Sequence, residues 1–489
     1  MIPQSDKIRI VIHYKIKRDR MKLWNIWYDL VNHLSGAFSR KRTFYWMVVI
    51  LIGFTIKFDF LGVTSLARGA GLLPNYYTCM LNFFSSEGVN LELLLSLWLQ
   101  LVFLRFDNLV KLNNRHLIVA DGIKIGKEGK KMPSVKWLHQ DSDSNSKAQY
   151  IMGHSLQAIA ILAKSVKNYF AIPLTARIHE GIRFDVKDKS TLLDKLFELL
   201  LELNLPGLYY LVVDKYYCSG RLMKKLVEKD IHMITMMKKN AVAYYPVEEK
   251  KKGRGRPKKY GEKVKLFSLF DNDLTFLKAP LPTNTKQTIE YCVVELLWRP
   301  LGEVVQFVLT KHPARGNAIV MSTDLSISPM ELVLAYSLRF KIEVLFKQAI
   351  HQIGTFMYRF WLKAMASRKR GKASGDWLIH FSSAEFKTKI ANKIHAYHLF
   401  IQLGLIAQGL MQYLSMYHYT LVWRNFGSWL RTIRDNTLPS EKVVALALSK
   451  TYFQFLVDET KGVIFKKFIR DRCDISQLFG HSPSNKQAA

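Results

Sequence analysis

Cysteine is scarce in this chain of 489 residues: Cys79, Cys218, Cys292 and Cys473 lie far apart, with no CxxC pair and no histidine at zinc-ligand spacing. That excludes a disulfide framework and a zinc centre, and it fits a reducing cytoplasm. Any metal must then be held by oxygen, which favours magnesium or manganese. Long hydrophobic runs are missing too. Phe44 to Ile56, preceded by Arg40, Lys41 and Arg42, is about thirteen residues, short of the roughly 20 needed to span a bilayer. It lies too far from the N-terminus for a secretory signal and reads as a buried helix. The apolar stretch Ile394 to Tyr417 holds His395 and His398 and lacks a charge-free core with anchoring flanks. It reads as a buried or oligomer-forming helix, not a membrane span. No short-period repeat is evident, and the final SPSNKQAA reads as a disordered tail.

Acidic residues are in deficit. Against 72 Lys and Arg stand 39 Asp and Glu, a formal net charge of +33, with a pI near 9.8. The excess is spread along the whole chain and creates a field suited to a polyanion. Nucleic acid is the first partner to consider; an acidic membrane surface is the competing one, raised by the Phe44 run.

Among so few acids, the placement of three is informative. Between Met321 and Gly354, at 100° per residue, Tyr336, Arg339, Glu343 and Lys347 fall within about 80° of one another on a helix, while Ala335, Leu338, Ile342, Leu345 and Ala349 gather roughly opposite. Ser328, Pro329 and Glu331 resemble a capped start, and Gly354 a stop. Alone, this stretch is also consistent with a surface helix carrying an Arg339–Glu343 ion pair. Upstream, HLIVAD (116–121) and LYYLVVD (208–214) are strand-like runs ending on Asp121 and Asp214. A carboxylate there sits at the rim of a sheet, within reach of a ligand, although each could be a turn-forming Asp. Asp324, after AIVMST, is a rival third acid; it also suits a turn before the capped helix.

Asp121-Gly-Ile, Val212-Val-Asp214-Lys-Tyr-Tyr217, Ser322-Thr-Asp-Leu and Tyr336-x2-Arg339-x3-Glu343-x3-Lys347 together resemble the bacterial insertion-sequence transposases of the DDE class. The likeness covers roughly 110–355; Gly153-His154 and the Gly-Arg-Gly-Arg-Pro-Lys-Lys run belong to it as well. Two departures stand out: Tyr216 where the family often has Gly, and Ile350 where it often has Lys. The resemblance implies an α/β fold, an RNase H-like mixed sheet flanked by helices and interrupted by a β-rich insertion before the last acid. It implies cut-and-paste cleavage and strand transfer at insertion-sequence ends, with Asp121, Asp214 and Glu343 as catalytic and metal-binding residues. Two Mg2+ or Mn2+ ions are implied, with DNA as partner, a homodimer assembled on DNA, no membrane, and a cytoplasmic, nucleoid-associated setting. Tyr336, Arg339 and Lys347 would contact the end. The alternative is a catalytically decayed or domesticated DNA-binding descendant.

The organisation expected along the chain is a helical N-terminal DNA-binding region (1–110), a first core part (111–239), a β-rich insertion (240–320), a second core part (321–385) and a helical C-terminal region (386–489). Within the first, Gly62 to Ser86 has the pattern of a helix-turn-helix reader or of a plain helical hairpin. In the core, strands are expected over 117–125, 150–163 and 170–179, with a polar loop over 136–147 between the first two. A helix over 192–203, a strand over 208–213, a helix over 219–229 and a strand over 231–237 follow. Arg254, Arg256, Lys258 and Lys259, set among Gly and Pro, read as a minor-groove hook or as a solvated loop touching phosphates. Trp298 reads as a core tryptophan, although relatives that make hairpin ends hold an unstacked base with an aromatic in this insertion. RKRGK (368–372) is a basic loop able to track a DNA backbone.

Overall fold

The computed structural model describes residues 22–57, 59–140, 148–166, 168–247, 258–371, 375–427, 434, 436–457 and 463–474. Arg254, Arg256 and the final SPSNKQAA therefore lie outside the described residues.

Five strands form the core: β1 (Arg115–Gly126), β3 (Tyr150–Ser165), β4 (Asn168–Ile178), β5 (Tyr209–Val212) and β6 (His232–Met236), in the spatial order β4-β3-β1-β5-β6. β3 runs antiparallel to both of its neighbours, β1 and β4, whereas β5 and β6 join in parallel after helical crossovers. This is the RNase H-like arrangement. β3 is buried almost without interruption from Gly153 to Ala163, as a strand covered on both faces must be, so its sequence is apolar without alternation. Helix α5 (Leu192–Leu203) begins at a Thr191–Asp194 capping box and ends on Asn204 in the left-handed conformation. It buries Leu196, Phe197, Leu199, Leu200 and Leu203, the stripe its period predicts. Helix α6 (Gly220–Val227) follows β5 and carries Lys225, whose ammonium binds Asp194 at 2.8 Å.

The expected polar loop holds a short strand, β2 (Lys136–His139), antiparallel to the start of β3. Trp137, stacked on Tyr150 at 5.4 Å, supplies apolar contact where the charge pattern predicted none. The β-rich insertion is not a separate sheet. Its strands β7 (Val242–Tyr244), β8 (Lys263–Lys265), β9 (Leu277–Leu281), β10 (Asn284–Trp298), β11 (Glu303–His312) and β12 (Gly316–Ser322) extend the core sheet. The join is β12 against β6, with Val320 opposite Met236 and Ser322 opposite Ile234.

The N- and C-terminal helices pack into the same hydrophobic core as the sheet. Helix α1 (Lys41–Ile56) contains the Phe44 run and is buried from Trp46 to Ile56. Gly53 lets it cross α2 (Val63–Gly69) closely, since a Cβ there would lie 2.6 Å from the Leu66 carbonyl oxygen. The pair formed by α2 and α3 (Tyr77–Phe83) is the plain hairpin of the two readings. α3 carries no basic residue, its Met80 and Phe83 point inward, and Arg68 of α2 is paired with Asp59. The long C-terminal helix (Ala384–Tyr417) passes the length and hydropathy test for a membrane crossing, yet 94% of its apolar window is buried inside the protein. All four cysteines are free.

Candidate active site

Asp121 does not end its strand. β1 continues to Gly126, pairing Asp121 with Ala158 of β3, while the parallel neighbour β5 stops at Val212. Val119 pairs with Val212, so two residues further on Asp121 comes level with Asp214. Asp214 opens a 3-10 turn, Lys215–Tyr217. Both carboxylates thus lie where β5 releases the sheet edge, the place a parallel strand end leaves open to a ligand.

The third acid arrives from outside the sheet. Ser328 caps helix α7 (Pro329–Leu338) by accepting from the Glu331 N–H, with Pro329 in the first turn, as the sequence predicts. The single long helix expected here is broken, however. α7 gives way to α8 (Lys341–Gln348) through i to i−3 bonds, Arg339 N–H to Tyr336 and Ile342 N–H to Arg339, and a π turn over Ala349–Ile353 ends on Gly354 with φ +65°. The tightened turn keeps Tyr336, Arg339 and Glu343 together. Arg339 donates to Glu343 at 2.7 Å and to Asp121 at 3.3 Å. The guanidinium, 16% exposed, is the cation between the first acid and the last.

Burial raises the Asp121 carboxyl to about 6, and the charges of Asp214 and Glu343 push the same way; the Gly122 N–H and Arg339 oppose it. Tyr336 is pushed up to about 12 by burial, with Arg339 lowering it and Asp214 and Glu343 raising it. Tyr336 thus feels Arg339 and the charges of Asp214 and Glu343. Two neighbours have no role in the sequence reading. Tyr217 accepts a 2.8 Å hydrogen bond from the buried Gln157, and its hydroxyl would lie 3.5 Å from a Cβ at Gly122. Its position three residues after Asp214 was the available signal, since one 3-10 turn returns it toward the sheet.

Asp324 is set aside by topology. β12 runs antiparallel to β6, so Asp324 emerges at the end of the sheet opposite to Asp214. There it is buried and accepts from Ser326 N–H (2.8 Å), Ser326 Oγ (2.6 Å) and Tyr210. Burial alone would raise its carboxyl, but the bonds from Ser326 and Tyr210 hold it below its usual range.

Lys347 is exposed one turn beyond Glu343, while Ile350 is half-buried against the core. Lys258 is an exposed residue of the insertion, not gathered with the acids. Trp298 is a core residue, 6% exposed. Its edge lines a cavity of about 320 Å³ with Cys218, Lys238, Tyr244 and Arg299. His154 is buried and neutral: its Nδ1 accepts from the Tyr358 hydroxyl (2.6 Å) and its Nε2 donates to the Pro133 carbonyl (2.8 Å). Two buried ammoniums hold the chain after the π turn, Lys57 on the Ile353 carbonyl and Lys127 on those of Phe356 and Tyr358. Desolvation lowers both to about 7.

Residues 173–381 match the family model of the transposase DDE domain. Over that span the chain is similar to a transposase DDE domain. The matched span takes in Asp214 and Glu343 and begins beyond Asp121. No curated protein matches the chain. Among solved structures it is similar to the piggyBac transposase synaptic complex with hairpin DNA, at 11% identity and a TM-score of 0.38, over 92% of this chain and 78% of that one. Transposases of the DDE class generally depend on divalent metal. The carboxylates here fit such an ion in kind: they are hard oxygen donors on three separate elements, two of them, Asp121 and Glu343, joined by Arg339. Among the described residues no three His, Cys, Asp or Glu side chains yet stand at the spacing of one ion. Arg339 holds Asp121 and Glu343 as an ion-paired set instead.

Proposed function

We propose that this transposase cleaves DNA at the ends of a mobile element and joins the freed strand to a target, using Asp121, Asp214 and Glu343 as ligands for Mg2+ or Mn2+. The observation that supports this most directly is the levelling of Asp121 with Asp214 at one sheet edge, with Arg339 tying Asp121 to Glu343. Two bound divalent ions supply activation of the attacking oxygen and charge stabilisation of the leaving one. The chain supplies the rest. Asp121 and Asp214 fix one side of the site from the rigid sheet, and Glu343 closes it from α8. With Asp121 and Glu343 holding such ions, the Arg339 fork would be available to a DNA phosphate, with Lys347 a turn away as a point charge. Tyr336, between the acids, orients the terminal strand. Arg254, Arg256 and Lys258 add phosphate contacts from the insertion. Two ends must be paired for transposition, so the working form is a homodimer on DNA, in the cytoplasm beside the nucleoid.

Ile350 favours a second reading, a DNA-binding descendant that no longer cuts, because the position is packed on the core and offers no cation. One experiment separates the two. Purified protein is incubated with labelled DNA carrying the flanks of its own gene, with magnesium or with chelator. Magnesium-dependent nicking at the ends is expected, and Glu343→Gln should bind the same DNA without nicking it. Near wild-type nicking by that variant removes Glu343 from the site; no nicking by the wild type leaves the second reading.

A further inference from the structure

We infer that the ridge where the loop 128–131 meets the segment 359–370 is a second DNA-contact surface, which takes unpaired nucleotides with Trp361 as the stacking platform. The two segments are stitched together by backbone bonds, Leu362 N–H to Lys131 at 2.9 Å and Arg368 N–H to Lys130 at 3.0 Å. Leu362 and Met365 are buried, and Phe360 stacks on Tyr397, so the segment is pinned on both sides of Trp361. Trp361 itself is 68% exposed. Its indole edge lies over Gly129, where a Cβ would come within 3.5 Å of Nε1.

The charge around it is predominantly positive. Lys130, Arg359, Lys363 and Arg370 are exposed, and among the described residues none of them has an ion pair. Lys130, Arg368 and Arg370 line one small recess, where Arg368 is fixed by the carbonyls of Val135 and Gly375. Glu128 is the only acid in the two segments. Cations that outnumber the single acid of the two segments, around an open aromatic face, suit a phosphate backbone with a base on the ring. The faces of paired bases are already stacked, so an indole meets a base face only where the strand is unpaired.

Which strand this is rests on the proposed function. β1 carries Asp121 and leads toward the ridge through Gly126, about 17 Å at 3.4 Å per residue. A strand held at the acids therefore reaches the ridge within roughly six nucleotides at 3.4 Å per step, and cleavage creates such strands.

The test compares binding of a blunt duplex with that of the same duplex carrying a dT overhang, by fluorescence anisotropy of the full chain in chelator. Wild type should prefer the overhang. Trp361→Ala should lose roughly five- to a hundredfold on the overhang and nothing on the blunt duplex, with Trp361→Phe retaining most of the preference. Lys130→Glu with Arg370→Glu should make the salt dependence on the overhang shallower by about 1.4 in log–log slope. Equal affinity of Trp361→Ala and wild type for the overhang, or an equal loss on both substrates, overturns the inference, as does an unchanged slope in the charge variant. Unfolding midpoints near wild type confirm that the variants fold. Magnesium-dependent end nicking by the wild type is scored separately, so the ridge can fail while the DNA-cutting function stands, and the reverse.

Discussion

A single side chain, Arg339, holds the candidate site in its present form. Its two bonds reach acids 218 and 4 residues away in the chain, so its loss should register in both DNA binding and metal binding. Arg339→Ala should weaken binding of the DNA end and make its salt dependence shallower by about 0.9 in slope, the contribution of one phosphate contact. An unchanged slope would mean that the residue only pairs with the acids. Asp121 carries a second prediction. Its carboxyl titrates near 6 in the folded chain against 3.8 ordinarily. Ionising it therefore costs stability: the stability tied to its protonated form is complete below about pH 4 and is lost as pH rises through 6. A divalent cation acts oppositely, because it binds the ionised form. The thermal stabilisation given by Mn2+ should be large at pH 7 and shrink below about 6, and Asp121→Asn should remove that dependence. A Mn2+ shift that is flat from pH 5 to 8 in wild type would falsify Asp121 as a ligand. Asp121 and Asp214 stood out by their place after apolar runs and Glu343 by its helix stripe; the register that levels Asp121 with Asp214 and the Arg339 bridge to Glu343 come from the fold. Gln157 did not stand out, because its residue type signals no site without the register that brings it to Tyr217.

At the level of elements, the strands and α5 could be read because their periods are clean and local. The break between α7 and α8 could not. No Gly or Pro marks Arg339–Phe340, and the tightened turn is stabilised by contacts from distant strands, Asp121 above all. The same holds for β2, whose pairing partner lies beyond a polar stretch. Where β1 and β3 cross near the site, Gly126 faces Gly153. A Cβ on Gly153 would lie 2.2 Å from the Ile125 carbonyl oxygen, which is backbone and cannot swing aside. Gly153→Ala should therefore pry this part of the hairpin open and cost about 1–3 kcal/mol, the usual range for overpacking. It should also disturb the neighbouring His154, whose bonds to Tyr358 and Pro133 tie β3 to the chain after the π turn. A thermal midpoint within a degree of wild type would show that the strands separate more freely than their register implies.

On the scale of the whole molecule, the compositional change near residue 240 was visible, but its meaning was not. A shift to short strands and turns is the usual mark of an inserted domain, which predicts a unit that can be removed. The structure instead runs one sheet from β4 through β6 and β12 to β10, because β6 needs a partner on its outer edge and β12 supplies it. Sequence alone carries no trace of that pairing, which joins residues about eighty positions apart. The consequence is testable. Replacing 240–320 with a short flexible linker strips β6 of its neighbour, exposing an unpaired edge that includes the buried Met233, Ile234 and Thr235. It also uncovers Met237, which donates its N–H to the Ile319 carbonyl in the intact chain. The shortened protein should aggregate or lose its cooperative unfolding transition, even though every proposed metal ligand is still present. A soluble product with a sharp transition would mean that the core closes without the insertion, and that the shared sheet is a junction of two independent units.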